Sequence, residues 1–279
     1  MTSVIICLPI LNVQKYLMSV LENVIIISKL FEKIIIIFGY DHSIDLSLEI
    51  IQNFKKTQES ENFHIEILIN NNPMEKYRTH NLENIRNIMI SCIYDKYSDY
   101  DYFIMMDTDD VCSKKINIEI LRKHLLNNDK WDSLSFNRLD YYDIWALQYY
   151  PFIFHCRGFS QSNYYVIKYM KHDITNILKI KNTDDYFSVY SAFNGLAIYK
   201  LKKFINCKYD GKTQKYFSDD DIINMISVIK NGYKQLWQKN IKLSIATIKE
   251  NCEHIGFHIS AINQNNAKIM ISPDYLFDN

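Results

Sequence analysis

The chain has 279 residues, of which 48% are hydrophobic, so it is long enough to bury a sizeable core. Lysine plus arginine equals aspartate plus glutamate at 32 each, and this neutral balance gives no general electrostatic reason to bind nucleic acid or an anionic membrane. Six glycines and four prolines are too few for a linker-rich or low-complexity architecture. The cysteines are scattered without a CxxC pair, so neither a zinc knuckle nor a thioredoxin-like motif is indicated.

No stretch of the sequence has the pattern of a membrane span or a secretion signal. The N-terminal residues lack the basic region that begins a signal peptide. The apolar stretch Leu17–Tyr40 is interrupted by charged residues, which leaves no run of about 18 apolar residues to cross a bilayer. We therefore expect a cytoplasmic protein without a transmembrane segment.

The first part of the chain alternates short apolar runs with segments of helical periodicity. Strands are predicted at Val4–Leu8, Lys33–Phe38, His64–Ile69 and Tyr102–Met106. Helices are predicted between them, over residues 12–31, 44–56 and 80–97. This order, with strands apolar on both faces, predicts an α/β fold with a parallel sheet whose strand ends, and any ligand, lie along one edge.

The second part of the chain is less regular. Strands are predicted at Ser133–Phe136, Leu196–Ile198 and Lys268–Ile271, and a helix at Ile116–Leu126. No linker or internal repeat divides the sequence, so we expect a single domain over residues 1–279.

The strongest motif comes directly after the fourth predicted strand. Tyr102–Met106 leads into Asp107-Thr108-Asp109-Asp110, so a buried strand ends in three carboxylates. Carboxylates this close repel each other unless a cation lies among them, and oxygen ligands of this kind suit Mg²⁺ or Mn²⁺, which also hold a diphosphate. The alternative is an acidic cap and turn before the following helix.

Other polar residues stand at comparable places before this motif. Asp41 follows the second strand, where a carboxylate can accept hydrogen bonds from a base or a ribose hydroxyl. Arg78 begins the third helical segment and Arg86 lies within it, where a guanidinium can pair with a carboxylate or a phosphate. A helix cap near Asp41 and a solvated surface arginine are the corresponding structural alternatives.

In this order the motifs resemble those of the GT-A glycosyltransferases. The matching features are the turn at Asp41–Asp45, the helix with Arg86, and the apolar strand that leads into a DxD motif, here Asp107-Thr108-Asp109. Three later stretches resemble a subgroup of fungal capsule α-mannosyltransferases and related viral enzymes, namely Tyr141–Leu147, Phe193–Tyr199 and Cys252–His258. The resemblance covers residues 4–272. It implies a GT-A domain with a nucleotide-binding half at 1–111 and an acceptor-binding half at 112–279, which includes an insertion at 212–250.

The resemblance also implies roles for residues of the nucleotide-binding half. Asp107 and Asp109 would bind Mn²⁺ or Mg²⁺ and the diphosphate of a UDP- or GDP-linked sugar. Asp41 would contact the nucleoside, and Arg78 and Arg86 would lie on the donor side.

Further roles are implied for the acceptor-binding half. Asn194 and Gly195 would form part of the sugar pocket, where glycine permits close backbone approach. Glu253 would face the acceptor, as the general base if the enzyme inverts, or to orient the acceptor if it retains; likeness to α-mannosyltransferases favours retention. His258, with His254 as the alternative, would complete the coordination of the metal.

Two segments leave the acceptor side open to more than one interpretation. Asp220 or Asp221 opens a helix that ends in Gly-Tyr, as in another GT-A signature, and so rivals Glu253. We prefer a helix with an acidic first turn capped by Ser218. The segment from residue 137 to 190 is dense in aromatic residues; we expect Tyr142 and Asp143 near the site and most of the others in the core.

The sequence thus predicts a metal-dependent, hexosyltransferase-like enzyme that moves a sugar from a nucleotide donor to a hydroxyl of a glycan acceptor. A haloacid-dehalogenase-type phosphatase is the alternative, because Asp107 to Val111 also matches DxDxV, with Asp107 as nucleophile and Asp109 as acid/base. That family normally places the motif after its first strand. A non-catalytic nucleotide-binding relic is a further alternative, against which the acids at 107, 109 and 253 argue.

Overall fold

In the first part of the chain, strands and helices alternate in the order that the sequence predicts. The computed structural model describes residues 2–154, 156–157, 163–182, 184–213, 215–232 and 249–278. The first part contains β1 (Ser3–Ile10), α1 (Gln14–Ser28), β2 (Lys33–Tyr40), α2 (Ser47–Gln58), β3 (Phe63–Ile69), α3 (Arg78–Lys96) and β4 (Tyr102–Met106). The second contains α4 (Ile118–Leu126), β5 (Ser133–Asn137), α5 (Asn163–Lys179), β6 (Phe187–Ser188), β7 (Leu196–Lys200), α6 (Asp219–Gly232), α7 (Glu253–Asn265) and β8 (Ile269–Tyr275). The insertion predicted at 212–250 lies partly outside the described residues, at 214 and 233–248.

Within the described ranges, eight strands form one sheet in the order β3-β2-β1-β4-β7-β5-β8-β6. The four strands of the first part are parallel to one another, and β5 is parallel to β8. Strand β7 runs antiparallel to both β4 and β5, and β6 runs antiparallel to β8. The predicted α/β fold with a mostly parallel central sheet is therefore confirmed.

Both faces of the sheet are covered, which explains why its strands are apolar throughout. Because successive side chains of a strand point to opposite faces, β1 contributes Val4 and Ile6 to one apolar cluster and Ile5 and Cys7 to another. Residues of α1, α2 and α4 pack in the first cluster, and residues of α3, α5, α6 and α7 pack in the second. Among the helices of the described residues, none is long and apolar enough to cross a membrane.

The parallel strands direct their carboxyl ends to the same edge of the sheet. Strand β1 has β2 on one side and β4 on the other, so the chain leaves β1 in one direction and returns on its other side to form β4. In α/β sheets, a crevice forms at the carboxyl ends where the strand order reverses in this way. The loops after β1, β2 and β4 therefore meet at one place.

Helix α3 lies unusually close to β2. A Cβ atom at Gly39 of β2 would be 2.8 Å from Ile85 Cγ1 and 2.8 Å from Met89 Sδ, so a residue without a side chain lets the helix approach the sheet. This close contact fixes the position of α3 relative to the sheet at Ile85, and Arg86 is the next residue of the helix.

A buried asparagine of α1 holds the segment that follows β4. Asn23 is 2% exposed, and its Nδ2 donates to the carbonyl oxygens of Cys112 at 2.9 Å and Lys114 at 2.7 Å. Its Oδ1 accepts from the amide of Ile116 at 3.1 Å. One side chain thus satisfies three backbone groups that the loop would otherwise bury without partners.

We predict that Asn23→Ala lowers the free energy of unfolding by about 2–4 kcal/mol, because buried backbone groups lose their partners. Asn53→Ala, an exposed position on α2, is the control and is expected to change it by less than about 0.5 kcal/mol. Urea unfolding followed by circular dichroism measures both. Equal effects of the two substitutions would contradict this role of Asn23.

Candidate functional site

A cavity of about 540 Å³ opens where the carboxyl ends of the parallel strands meet. The segment from Pro9 to Val13 after β1 forms one wall, and the start of α3 forms another. Four of the residues predicted from sequence line this cavity together, namely Asp41, Arg78, Asp107 and Asp109. Asp41, Asp107 and Asp109 follow the carboxyl ends of parallel strands, where ligands of α/β sheets bind, and Arg78 begins α3.

The acidic motif after β4 is held by its backbone and by its threonine. The amide of Asp107 donates to the carbonyl oxygen of Gly195 at 2.8 Å, and Thr108 Oγ1 donates to the carbonyl oxygen of Pro9 at 2.5 Å. Asp109 Oδ1 accepts from the amide of Val111 at 3.1 Å. These contacts fix the turn, so that both carboxylates lie at the wall of the cavity.

The two carboxylates are costly to ionise in this position. Burial raises the pKa of Asp107 to about 7, against the effect of Arg86 and with a further increase from the charges of Asp109 and Asp143. Burial also raises the pKa of Asp109. A site that disfavours neighbouring negative charges favours a cation between them. The donor set fits Mg²⁺ or Mn²⁺, which bind through one or two carboxylates together with substrate phosphates.

Arg86 is buried and joins the acidic motif to α7. It is 2% exposed, and its Nη2 donates to Asp107 Oδ1 at 2.9 Å. Its Nη1 pairs with Glu253 Oε1 and lies 2.7 Å from His254 Nε2. The guanidinium also lies over the ring of Phe193, 5.1 Å from its centroid. Arg86 is therefore a core residue that fixes Asp107, and the alternative of a solvated surface arginine does not apply.

Glu253, which the sequence analysis expected to face the acceptor, is buried in the protein. It begins α7, is 2% exposed, and its carboxylate pairs with Arg86. It is not among the described residues that line the cavity. Its position makes it the second carboxylate of a buried Asp107–Arg86–Glu253 bridge.

Asn194 and Gly195 support loops of the site from within the protein. Asn194 is 3% exposed, with a φ of 59°, and its Oδ1 accepts from the amides of Tyr142 and Asp143, both at 3.1 Å. Gly195 has a φ of 92°, and a Cβ there would collide with Val111. Gly195 thus permits two segments of the protein to approach each other closely, whereas the sequence had suggested a close approach of the backbone to a sugar.

His258 is not among the described residues that line the cavity with the two aspartates. It is fully buried, with Nδ1 2.9 Å from Ser191 Oγ and Nε2 3.3 Å from the hydroxyl of Tyr199. Within the described ranges, no three His, Cys, Asp or Glu side chains are grouped to hold a metal ion. Asp107 and Asp109 therefore remain the candidate metal ligands, without His258.

The start of α6 has the contacts of a helix cap. Ser218 Oγ accepts from the amide of Asp221 at 3.1 Å, and Asp221 Oδ2 accepts from the amide of Ser218 at 3.1 Å. Asp219 and Asp220 are exposed in the first helical turn. This reciprocal arrangement is the capping box that we preferred for these residues.

A second cavity, of about 440 Å³, adjoins the first because Arg78 lines both. Tyr142 and Asp143 line this second cavity, as does Trp145. Asp143 Oδ1 accepts from the amide of Ala146 at 3.1 Å, and burial raises the pKa of Asp143. The sequence-based expectation that Tyr142 and Asp143 lie near the site agrees with this position.

The sequence did not single out Asn70, which supports Asp41. Asn70 follows β3, and its Nδ2 donates to Asp41 Oδ1 at 2.6 Å. Burial raises the pKa of Asp41, and this hydrogen bond opposes the increase. A polar residue directly after a parallel strand was the available signal, the same one that identified Asp41.

The fold and the two cavities define an α/β protein with a carboxylate-lined crevice at the reversal of strand order. No protein-family model matches the chain, and no curated protein matches it either. Similar solved structures include TarS 1-349 from S. aureus, at 12% identity and a TM-score of 0.44, over 99% of this chain and 59% of that one. A mannosyltransferase from Pyrobaculum calidifontis in complex with GDP-Man and Mn²⁺ aligns at 10% identity and a TM-score of 0.42, over 74% and 47% of the two chains. Glucosyl-3-phosphoglycerate synthase from Mycobacterium tuberculosis in complex with Mg²⁺ and UDP aligns at 10% identity and a TM-score of 0.41, over 82% and 66%.

The chain spans about three-fifths of the length of TarS 1-349. The strand order and pairing described above define the fold independently of these likenesses.

We predict that Arg86→Met lowers the free energy of unfolding by about 3–5 kcal/mol, because it leaves two buried carboxylates without their cation. The double variant Arg86→Met/Glu253→Gln should lose at least about 1 kcal/mol less than the sum of the single losses, since the residues are in contact. Arg122→Met, an exposed arginine paired with Glu119, is the control and should cost less than about 1 kcal/mol. Additive effects at Arg86 and Glu253 in urea unfolding would show that the buried bridge is not formed.

We predict that His258 makes the protein more sensitive to acid. Burial lowers the pKa of His258 to about 3, whereas an unfolded histidine titrates near 6.5. Between these values the unfolded chain takes up a proton that the folded one does not, so stability falls as the pH decreases, by up to about 1.4 kcal/mol per pH unit. His258→Gln should reduce this slope, as measured by urea unfolding from pH 7 to pH 4. An unchanged slope would mean that His258 is not buried in its neutral form.

Proposed function

We propose that this protein is a metal-dependent glycosyltransferase that uses a nucleotide-sugar donor. The observation that carries the proposal is that Asp41, Arg78, Asp107 and Asp109 line one cavity together, at the carboxyl edge of β1, β2 and β4. Its position suits a nucleotide, and its two motif carboxylates suit a divalent ion that binds a diphosphate. The order of motifs in the sequence, which resembles that of GT-A enzymes, supports the same conclusion.

In this proposal each lining residue has a separate task. Asp107 and Asp109 bind Mn²⁺ or Mg²⁺, and Arg78 contributes positive charge towards the phosphates. Asp41, held by Asn70, accepts hydrogen bonds from the nucleoside. Arg86 acts from the core by fixing one oxygen of Asp107. The ion, when bound, would neutralise negative charge on the departing diphosphate.

The alternative phosphatase needs Asp107 as a nucleophile. One of its oxygens accepts a hydrogen bond from the buried Arg86, which supports a role in binding rather than in attack. The cavity also extends from the acidic motif to Asp41 and to the loop after β1, which provides room for a nucleoside beside the diphosphate. We therefore propose transfer of a hexose to a hydroxyl of a glycan acceptor.

We predict that Asp109→Asn weakens Mn²⁺-dependent binding of the preferred nucleotide at least about tenfold, which corresponds to about 1.4 kcal/mol. The reason is the loss of one of two charged ligands. Asp110→Asn is the matched control, because Asp110 is exposed in the same turn and is not among the described residues of the cavity. Calorimetry with UDP, GDP, UDP-GlcNAc and GDP-mannose, with and without Mn²⁺, measures the effect and names the donor class.

Two results would count against this function. Equal weakening in Asp109→Asn and Asp110→Asn would indicate a general charge effect instead of coordination. Hydrolysis of 4-nitrophenyl phosphate by a protein that binds no nucleotide with Mn²⁺ would support the phosphatase.

A further inference from the structure

The second cavity is positioned beside the donor cavity that we propose. Arg78 lines both cavities, so a molecule in the second one would lie next to a nucleotide-sugar in the first. Asp143 lines the second cavity, and its amide donates to Asn194, whose neighbour Gly195 accepts a hydrogen bond from the amide of Asp107. A carboxylate of the second cavity is therefore connected through one loop to the acidic motif of the first.

Asp143 is held in a defined orientation. Its amide donates to Asn194 Oδ1 at 3.1 Å, and Asn194 is itself anchored by donation to the carbonyl oxygen of Phe136 at 2.9 Å. The Asp143 side chain accepts from the amide of Ala146 through Oδ1. These contacts fix the carboxylate at the wall of the second cavity, and fixed groups of this kind need little reorganisation during a reaction.

Glu253 has the opposite surroundings. Its side chain is 3% exposed and pairs with Arg86, whose guanidinium is enclosed between Phe193 and Tyr209. An acceptor hydroxyl that took the place of Arg86 at this carboxylate would have to displace the guanidinium. That displacement would leave buried charges without partners, which is costly.

We propose that the second cavity receives a sugar acceptor and that Asp143, in place of Glu253, contacts its reacting hydroxyl and takes up the proton. Glu253 is then a positioning residue, which acts through Arg86 on Asp107. Tyr142, which is 43% exposed, provides an aromatic surface for a pyranose ring at the same cavity. This inference rests on the proposed glycosyltransferase function.

The chemical step balances with these residues. The hydroxyl oxygen forms a bond to the anomeric carbon of the donor as the bond to the diphosphate oxygen breaks. The electron pair of that bond leaves on the diphosphate, and the hydroxyl proton passes to Asp143. A direct displacement of this kind inverts the anomeric configuration, whereas the resemblance to α-mannosyltransferases favoured retention.

The test compares Asp143→Asn with Glu253→Gln, and uses Asp140→Asn as the matched control in the same loop, where Asp140 is 82% exposed. The readout is hydrolysis of the sugar nucleotide that binds best with Mn²⁺, since water replaces an unidentified acceptor. Asp143→Asn should lower this rate at least about 100-fold, the usual contribution of a proton-transfer group, with a nucleotide Kd within about threefold of wild type. Glu253→Gln should instead weaken binding of the nucleotide with Mn²⁺ and lower the Tm, and Asp140→Asn should change neither quantity.

A second measurement does not depend on turnover. The native protein is treated with a water-soluble carbodiimide and glycine amide, and the modified carboxyl groups are identified by mass spectrometry. We expect modification of Asp143 in the native protein and of Glu253 only after unfolding. The ¹H NMR signal of the newly released sugar should show the inverted anomer.

Three results would overturn the assignment. They are wild-type hydrolysis by Asp143→Asn, a retained anomer, or modification of Glu253 without Asp143 in the native protein. Each of them is compatible with metal-dependent nucleotide binding, so the inference can fail while the proposed function stands. Absence of any nucleotide binding by the wild-type protein would instead refute the proposed function.

Discussion

The site depends on the ion pairs that the buried guanidinium of Arg86 makes. A positive charge removed from water is stable only while it is paired, and here its partners are Asp107 after β4 and Glu253 at the start of α7. The pairing therefore joins the parallel half of the sheet to a helix from the end of the chain. It also fixes one carboxylate oxygen of Asp107 from within the protein. The opposite side of the acidic motif faces the cavity.

Around this bridge, buried polar groups hold the loops at the strand ends. Asn23 satisfies the segment after β4, Asn70 holds Asp41, and Asn194 holds the loop with Asp143. Asparagine can donate and accept at once, so one side chain orders several backbone or carboxylate groups. The result is a set of carboxylates in fixed positions, whose burial and mutual repulsion raise their pKa values and favour a cation.

In the proposed reaction, one of the two adjoining cavities holds the donor and the other holds the acceptor. The first lies at the carboxyl ends of β1, β2 and β4 and has the carboxylates for a metal-bound diphosphate. The second is formed by the segment after β5 and contains Asp143 and aromatic side chains. Arg78 stands at their boundary, so donor and acceptor would meet where the parallel half of the sheet joins the mixed half.

The sequence by itself determined the parallel part of the fold, because strand and helix periodicities are local properties; β4 has the bounds that its apolar run predicts. It also placed Asp41, Asp107 and Asp109 at one edge, since parallel strands end together. Tertiary structure alone decided the exposure of each polar group. Glu253 and His258 lie on one helix and carry the residue types of a site, yet both are buried against partners distant in sequence. Asp143 faces a cavity because a distant asparagine orders its loop. Burial and pairing depend on which segments pack together, and a local pattern does not contain that information.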